Sequence, residues 1–205
     1  EFRPTYFIPE FDTVNGKTEY LMRAVNYRFD NIDAEIVANG QNPYFNRTAE
    51  HFCSHQHAPN DRRLTYPTAA IKGNVAYIGW DIFRGYAESG DFHIKELVAY
   101  VIERLMNGNF TIESSIPDRG IVTLLQQNDR KIVHLLYSHT TVRGKNTEVI
   151  EDIVPLYNVD VSVKCNKPKR VILVPQNEEI SFNYSDGKAS FTVPKVEIHQ
   201  MISIE

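Results

Sequence analysis

The stretch from Asp91 to Met106, DFHIKELVAYVIERLM, decides the fold of the first half of the chain. Its apolar residues recur at intervals of three and four, which is the spacing of one helix face. They are Ile94, Leu97, Val98, Val101, Ile102 and Leu105. Asp91 is a suitable N-cap, and Gly108 follows the end of the stretch where a left-handed C-cap is favoured. The stretch therefore predicts an amphipathic helix.

The residues before this helix alternate between strand-like and helix-like patterns. Val75–Gly79 is predicted as a buried strand, Ala34–Ala38 as a short strand and Lys17–Arg28 as a helix. A buried strand that leads into an amphipathic helix is typical of the last βα unit of an open α/β sheet. One such unit cannot bury its own apolar face. We therefore expect the chain before Gly108 to be the later part of a larger α/β domain.

After Pro117 the apolar period becomes two, and turn signals separate the apolar runs. The predicted strands are Ile121–Gln127, Lys131–Tyr137, Val159–Cys165, Val171–Val174, Ile180–Tyr184, Ala189–Val193 and Val196–Ile204. Short strands with a turn about every ten residues are typical of an antiparallel β-sandwich. Cys165 continues the inward face of its strand, so we expect a buried, inert thiol.

Composition excludes several classes of function. The chain has 205 residues, a formal net charge of −4 and a pI near 6.0, which do not favour binding to nucleic acid. No apolar run approaches the roughly 18 residues that cross a bilayer, so we expect a soluble protein, cytoplasmic rather than secreted. The two cysteines lie far apart, which argues against a disulfide framework. The chain starts at Glu1 without a leader pattern, which suggests a fragment of a longer protein.

The densest polar segment runs from Pro43 to Pro59. His51, Cys53, His55 and His57 occupy alternate positions, and in an extended chain they would share one face with neighbours about 6.6 Å apart. Imidazole and thiolate are preferred zinc ligands, so these four residues are candidate metal ligands. A straight strand, however, cannot bring all four to one ion.

Two further interpretations of this segment stay open. It is either a polar loop whose histidines bond to the backbone, or a ligand-facing edge on which Tyr44 and Phe45 stack against a sugar ring. The candidate sugar-binding residues, whose side chains offer donors and acceptors to sugar hydroxyls, are Asn46, Arg47, His51, His55, Gln56 and His57.

The sequence does not predict a complete active site. Glycoside hydrolysis usually needs two opposed carboxylates in a cleft. Glu50, Asp81 and Glu88 are the nearest candidates, and their surroundings favour ordinary surface acids. There is also no G-x-S-x-G motif for a nucleophilic serine. We therefore expect this chain to hold no catalytic residues and to need no cofactor.

Several motifs resemble a known family. Pro43–Thr48 (PYFNRT), His51–His57 (HFCSHQH) and Gly73–Phe83 (GNVAYIGWDIF) look like the later part of the trimerisation domain of bacterial β-galactosidase-like glycosyl hydrolases. The stretches Val133–Tyr137, Ile150–Pro155 and Val193 to Met201 look like the small β domain that ends such proteins.

This resemblance implies an architecture. In these enzymes a (β/α)₈ barrel carries the catalytic carboxylates, a flavodoxin-like domain similar to class I glutamine amidotransferases builds a trimer, and a β domain follows. Residues 1–110 would be the later part of the amidotransferase-like domain, and residues 111–205 the C-terminal antiparallel β-sandwich. The partners would be the barrel domain, further copies in a homo-oligomer, and a carbohydrate. Amidotransferase chemistry is not expected, because the stretch from Trp80 to Tyr86 lacks the histidine and Cys53 lacks a glycine-flanked turn.

The sequence therefore predicts a non-catalytic C-terminal part of a glycoside hydrolase that serves oligomerisation and whose segment from Asn46 to His57 closes the rim of a sugar site. A carbohydrate-binding module is a second interpretation, although most sandwich aromatics fall on inward positions. These aromatics are Tyr137, Tyr157, Phe182, Tyr184 and Phe191. The sequence also allows a metal-dependent hydrolase that uses the His/Cys segment, or a module for assembly alone.

Overall fold

The computed structural model describes residues 4–30, 33–55 and 57–205. The chain divides into two compact units, Glu1–Gly108 and Asn109–Glu205. This division falls within the Asn107–Asn109 segment, where the apolar period of the sequence changes. Each unit has its own hydrophobic core.

The described residues of the first unit form one five-stranded sheet and two helices. Its strands are β1 (Thr5–Pro9), β2 (Tyr20–Met22), β3 (Glu35–Pro43), β4 (Asn60–Lys72) and β5 (Val75–Ile78), in the order β2-β1-β3-β4-β5. The helices α1 (Ile82–Ser89) and α2 (Phe92–Met106) follow β5.

Every pairing between the described strands of this sheet is antiparallel. The sequence predicts a parallel, flavodoxin-like sheet, and the described strands do not show one. The physical reason is the length of the connections. β4 and β5 are joined by the turn at Gly73 and Asn74, whereas a parallel pair needs a crossover of a dozen or more residues. The α/β pattern in the sequence comes from the single step from β5 into α1 and α2.

One local prediction in this unit is wrong, and a second is correct for the strand but wrong for its burial. Lys17–Arg28 is not a helix; it contains β2, whose Tyr20 and Leu21 pair with β1. Its apolar residues do not share one buried face, since Met22 is 1% exposed and Val25 is 54% exposed. Val75–Gly79 is a strand, but it lies at the sheet edge and is not buried, because Val75 is 68% exposed. The strand predicted at Ala34–Ala38 is confirmed as the start of β3.

Helix α2 confirms the strongest prediction. The Asp91 carboxylate accepts a hydrogen bond from the His93 backbone N–H at 3.1 Å, which is the expected N-cap contact. The helix ends at Asn107 in a left-handed conformation (φ 48°), one residue before the predicted Gly108. Leu97 and Ile94 are buried against the sheet, where the core includes Phe7 and Trp80. The sequence does not predict helix α1, because it is only eight residues long.

The second unit is built from eleven strands, β6 to β16. They are β6 (Ile112–Ser114), β7 (Ile121–Gln127), β8 (Arg130–Tyr137), β9 (Thr141–Arg143), β10 (Thr147–Val149), β11 (Leu156–Lys164), β12 (Val171–Val174), β13 (Glu178–Ile180), β14 (Phe182–Ser185), β15 (Lys188–Val196) and β16 (Ile198–Ile204).

These strands confirm the predicted antiparallel β-sandwich. One sheet has the order β14-β15-β11-β6 and the other the order β13-β12-β16-β8-β7, while β9 and β10 form a separate hairpin. Alternate residues of the strands fill the core, including Val159, Val161 and Val163 of β11. The predicted strand Ile180–Tyr184 is divided, because the chain crosses from one sheet to the other at Ser181.

Cys165 and several of the aromatic residues of the second unit lie in the sandwich core or pack against it. Cys165 is half-buried at the core margin, and burial raises the pKa of its thiol. Phe191 is buried, and Tyr137 and Phe182 pack against the core, whereas Tyr157 is 64% exposed. Within the ranges that the structure describes, no helix combines the length and the apolar character needed to cross a bilayer.

Candidate functional site

The polar segment forms the loop 44–59 between β3 and β4. Its two ends are joined by a hydrogen bond from the Tyr44 N–H to the Pro59 carbonyl at 3.0 Å. The Tyr6 hydroxyl of β1 donates to the Ala58 carbonyl at 2.9 Å. The described part of the loop is irregular chain and not a strand. The idea that His51, Cys53, His55 and His57 share one face of an extended chain is therefore wrong.

A local turn organises the tip of this loop. The Thr48 hydroxyl oxygen accepts hydrogen bonds from the N–H groups of Glu50 and His51 at 3.2 and 3.0 Å. The Thr48 N–H donates in turn to the His51 carbonyl at 2.9 Å. The Arg47 guanidinium lies over the Phe52 ring, 4.7 Å from its centroid. The turn keeps the side chains of Arg47 and His51 on the surface of the loop.

The predicted sugar-binding residues differ in their exposure. Asn46, Arg47, His51 and His55 are exposed, so their polar groups can reach a ligand. His57 is half-buried and makes an edge contact with the Tyr6 ring, with the centroids 6.3 Å apart. Its buried Nδ1 has no hydrogen-bond partner among the described residues. Gln56 lies outside the described residues.

The metal-ligand hypothesis gains no support from the described residues. Among them, no three His, Cys, Asp or Glu side chains are placed to hold one ion. The Cys53 thiol instead donates to the His55 carbonyl at 3.3 Å. The alternate spacing of these residues in the sequence does not bring their side chains together.

A polar cleft of about 660 Å³ lies beside the loop, within the first unit. The loop contributes Phe45 and Asn46 to its lining. The other polar side chains come from separate parts of the chain: Thr5, Arg23, Asn26, Arg28, Asn42 and Tyr66. The structure thus places Asn46 at the cleft, whereas Arg47, His51, His55 and His57 do not line it.

Tyr66 of β4 connects the polar groups of this cleft. Its hydroxyl donates to the Asn42 side-chain oxygen at 2.9 Å and accepts from the Asn26 amide at 3.3 Å. The Arg28 guanidinium lies over its ring, 3.9 Å from the centroid. Burial raises the pKa of Tyr66, while Arg28 and Asn26 act in the opposite direction. The phenol is therefore neutral near pH 7 and serves as a hydrogen-bonding group.

The cleft also contains an unused acceptor. The side-chain oxygen of Asn26 is buried and has no hydrogen-bond partner among the described residues. Arginine and amide donors, a phenol and this carbonyl can together bind a ligand with many hydroxyl groups. Among the described residues that line the cleft there is no carboxylate, so the arrangement suits binding and not acid–base catalysis.

Sequence reasoning misses most of this cleft. Arg23, Asn26 and Arg28 lie in the segment whose pattern predicts a helix, which would spread their side chains over different faces. A useful signal is present, because two arginines and an asparagine fall within six residues. The sequence around Tyr66 does not indicate that this residue lines a cleft, because its position depends on the pairing of β4 with β3.

The carboxylates considered as catalytic candidates lie elsewhere. Glu50, Asp81 and Glu88 are exposed, and none of them lines the cleft. Glu88 accepts a hydrogen bond from Arg84 at 2.8 Å on the surface of α1. Their positions agree with the interpretation as surface acids.

Comparison with known proteins shows that the chain is similar to part of an enzyme. No family model and no curated protein matches it. Among solved structures, however, the chain is similar over its whole length to part of a glycoside hydrolase. That protein is alpha-L-fucosidase isoenzyme 2 from Paenibacillus thiaminolyticus, with 38% identity and a TM-score of 0.95. The alignment covers 100% of this chain and 32% of the fucosidase chain.

This similarity supports the glycoside hydrolase part of the sequence prediction. It does not single out the β-galactosidases, since the matched protein is named for α-L-fucosides. The chain spans about a third of the length of that enzyme, so the activity of a whole protein is a matter for proposal.

Proposed function

We propose that this chain is a non-catalytic, C-terminal part of a glycoside hydrolase. The observation that carries the proposal is the match of the whole chain, at 38% identity, to 32% of an α-L-fucosidase. The chemistry of the described cleft is consistent with it. The lining side chains can form hydrogen bonds with a ligand, but they include no pair of carboxylates that could cleave a glycosidic bond. The catalytic carboxylates would then lie in a barrel domain outside this chain.

The first unit would serve oligomerisation. This idea comes from the motif resemblance to trimerisation domains, and surface features support it. Strand β5 is an edge strand, and its Val75 and Tyr77 are 68% and 51% exposed. Phe83 on α1 is 80% exposed. Exposed apolar groups of this kind favour burial against another chain or domain.

The loop 44–59 would close the rim of the sugar site of the barrel, either its own or that of a neighbouring copy. Asn46, Arg47, His51 and His55 expose donors and acceptors along this loop. The hydrogen bond between Tyr44 and Pro59 and the turn at Thr48 order the ends and the tip of the loop. A loop that is ordered before binding loses less entropy when it contacts a ligand.

The substrate would be an α-L-fucoside. The similarity to the fucosidase extends over the whole chain, whereas the resemblance to β-galactosidases rests on short motifs. Hydrolysis of nitrophenyl α-L-fucoside and nitrophenyl β-D-galactoside by the longer protein that contains this chain would separate the two. We expect kcat/KM to be higher for the fucoside.

The rim role is tested by His51→Ala and His55→Ala in the same longer protein. Each substitution should lower kcat/KM by about tenfold, which corresponds to about 1.4 kcal/mol of lost transition-state binding. His139→Ala is the matched control, because His139 is also an exposed histidine but lies in the second unit, and it should leave kcat/KM unchanged. Unchanged kinetics for both loop variants, with unchanged assembly by sedimentation, would refute the rim role.

A further inference from the structure

The outer face of the four-stranded sheet in the second unit holds a second polar cavity, of about 610 Å³. Its lining comes from β6, β11, β14 and β15 and from residues next to them. The lining is unusually rich in small hydroxyl side chains: Ser114, Ser115, Ser162, Ser181, Ser190 and Thr192. Because these side chains are short, the cavity is a groove over the strands. We call it the serine groove.

Strand pairing arranges one row of polar groups across the groove. Glu113 of β6 pairs with Ser162 of β11, Ser162 pairs with Ser190 of β15, and Ser190 pairs with Asn183 of β14. Neighbouring strands lie about 4.8 Å apart, so a carboxylate, two hydroxyls and an amide follow one another over roughly 14 Å. The residues next to them in β15, Ala189 and Phe191, point the other way and are buried in the core.

A second row lies beside the first. Asp160 of β11 pairs with Thr192 of β15, and the Thr192 hydroxyl donates to the Asp160 carboxylate at 2.7 Å. The Asp160 N–H donates to the Ser115 hydroxyl oxygen at 2.9 Å. In the first row, the hydroxyls of Ser162 and Ser190 are 3.0 Å apart and share a hydrogen bond. These contacts fix the polar groups before any ligand binds.

Hydrogen-bonding capacity is left over in this array. Thr192 occupies Oδ1 of Asp160, which leaves the second oxygen of that carboxylate to accept a bond from a ligand. The exposed Asn183 amide has no side-chain partner among the described residues and offers both a donor and an acceptor. Hydrogen bonds to a carboxylate are about twice as strong as neutral ones, so Asp160 would be the main anchor.

The chemistry of the groove favours one kind of occupant. Protein interfaces concentrate aromatic side chains, Met and Arg at their cores, and the outward positions of these rows carry Ser, Thr, Asn, Asp and Glu instead. An anionic ligand would be repelled by Asp160, and the charges of Glu113 and Lys188 are already paired with each other. A neutral ligand with many hydroxyl groups can donate to the carboxylates and accept from the amide and the serines.

We propose that the serine groove binds a neutral oligosaccharide that lies across the strands. Two aromatic residues of the sandwich, Phe182 and Phe191, also line the groove. Phe191 is buried and Phe182 packs against the core, so the outward polar side chains would make the contacts with the sugar. The groove lies within the second unit, so the proposal does not depend on the rim role of the loop 44–59 or on the fucoside assignment.

The test is calorimetric titration of the 205-residue chain with cellohexaose, mannohexaose and 2′-fucosyllactose. We expect saturable binding of at least one of these sugars. Ser190→Arg places a long side chain in the groove and should weaken that binding at least tenfold, and Asp160→Ala should weaken it through loss of the anchor. Thr123→Arg is the matched control, because Thr123 is an exposed residue on β7 of the other sheet, and it should leave the affinity unchanged. Circular dichroism of each variant establishes that the sandwich is folded.

Three results would overturn the proposal. The first is the absence of saturable binding of all three sugars by the folded chain. The second is binding that Ser190→Arg and Asp160→Ala leave unchanged, because the sugar would then bind elsewhere. The third is a dimer, seen by sedimentation without sugar binding, that Ser190→Arg dissociates. That result would assign the groove to contact between copies of the chain.

Discussion

At the scale of single residues, Tyr66 connects several polar groups of the cleft in the first unit. Its hydroxyl bridges Asn42 and Asn26, and its ring supports Arg28. Gly40 of β3 lies beneath this ring, and a Cβ there would come within 2.6 Å of it. The shape of the cleft therefore depends on one phenol that is held from two sides.

Tyr66→Phe tests this role by removal of the hydroxyl alone. Two partly buried amides lose a partner, so we expect the first unit to lose about 1 kcal/mol of unfolding free energy. The fluorescence of Trp80, the single tryptophan of the chain, reports unfolding of this unit in urea. Tyr44→Phe is the control, because Tyr44 is 54% exposed and its described side-chain contact is with Arg63. Equal losses for the two variants would contradict the account.

A second prediction at this scale concerns Cys165. Burial raises the pKa of its thiol, and the thiolate is the form that iodoacetamide alkylates. In the Cys53→Ser variant, where Cys165 is the remaining thiol, the alkylation rate should reach half its maximum above the ordinary pH of about 8.5. The same variant in urea should show the ordinary value. A midpoint at or below the ordinary value in the folded chain would indicate an activated cysteine instead of an inert one.

At the scale of elements, helix α2 shows what a sequence can predict. The periodic pattern extends over fifteen residues and a capping side chain precedes it, so local chemistry defines both its existence and its start. The longer strands of the sandwich are predictable for a similar reason, because alternation over five or more residues is a local property. The three-residue strands β6, β9 and β10 are not predicted. β2, with three residues, is too short to show a period, and α1 is too short to stand out.

The N-caps of the two helices allow a matched test of whether a side-chain cap stabilises the first unit. The Asp91 side chain caps α2, whereas Asp81 precedes α1 without a side-chain cap bond. Asp91→Ala should lower the unfolding free energy of the first unit by about 1 kcal/mol, and Asp81→Ala should change it much less. Urea unfolding followed by Trp80 fluorescence measures both. The reverse order of the two variants would show that the cap contact at Asp91 does not stabilise α2.

At the scale of the whole molecule, the sequence indicates two parts and a sandwich but not the sheet of the first unit. Its strand order depends on pairings between distant residues, such as β3 with β4 across the loop 44–59. The cleft cannot be predicted from the sequence for the same reason. Its lining residues come from separate segments of the chain, including Thr5, Asn26, Asn42 and Tyr66. The loop itself is predictable as the most polar segment, since its composition is a local property.

The two polar sites have different places in the proposed enzyme. The cleft and the loop 44–59 belong to the first unit, for which we propose roles in oligomerisation and at the rim of a sugar site. The serine groove belongs to the second unit and would hold a further part of the glycan. Both sites bind without cleaving in this account, because the catalytic carboxylates would lie in another domain.

The most direct test of the central claim compares two proteins in one assay. The 205-residue chain and the proposed longer protein are each incubated with nitrophenyl α-L-fucoside and, separately, with nitrophenyl β-D-galactoside. We predict that the longer protein releases nitrophenol, whereas the chain alone does not. Release by the isolated chain at a comparable rate would contradict the claim that it is non-catalytic, and failure of the longer protein to hydrolyse either the fucoside or the β-D-galactoside would contradict its assignment to a glycoside hydrolase.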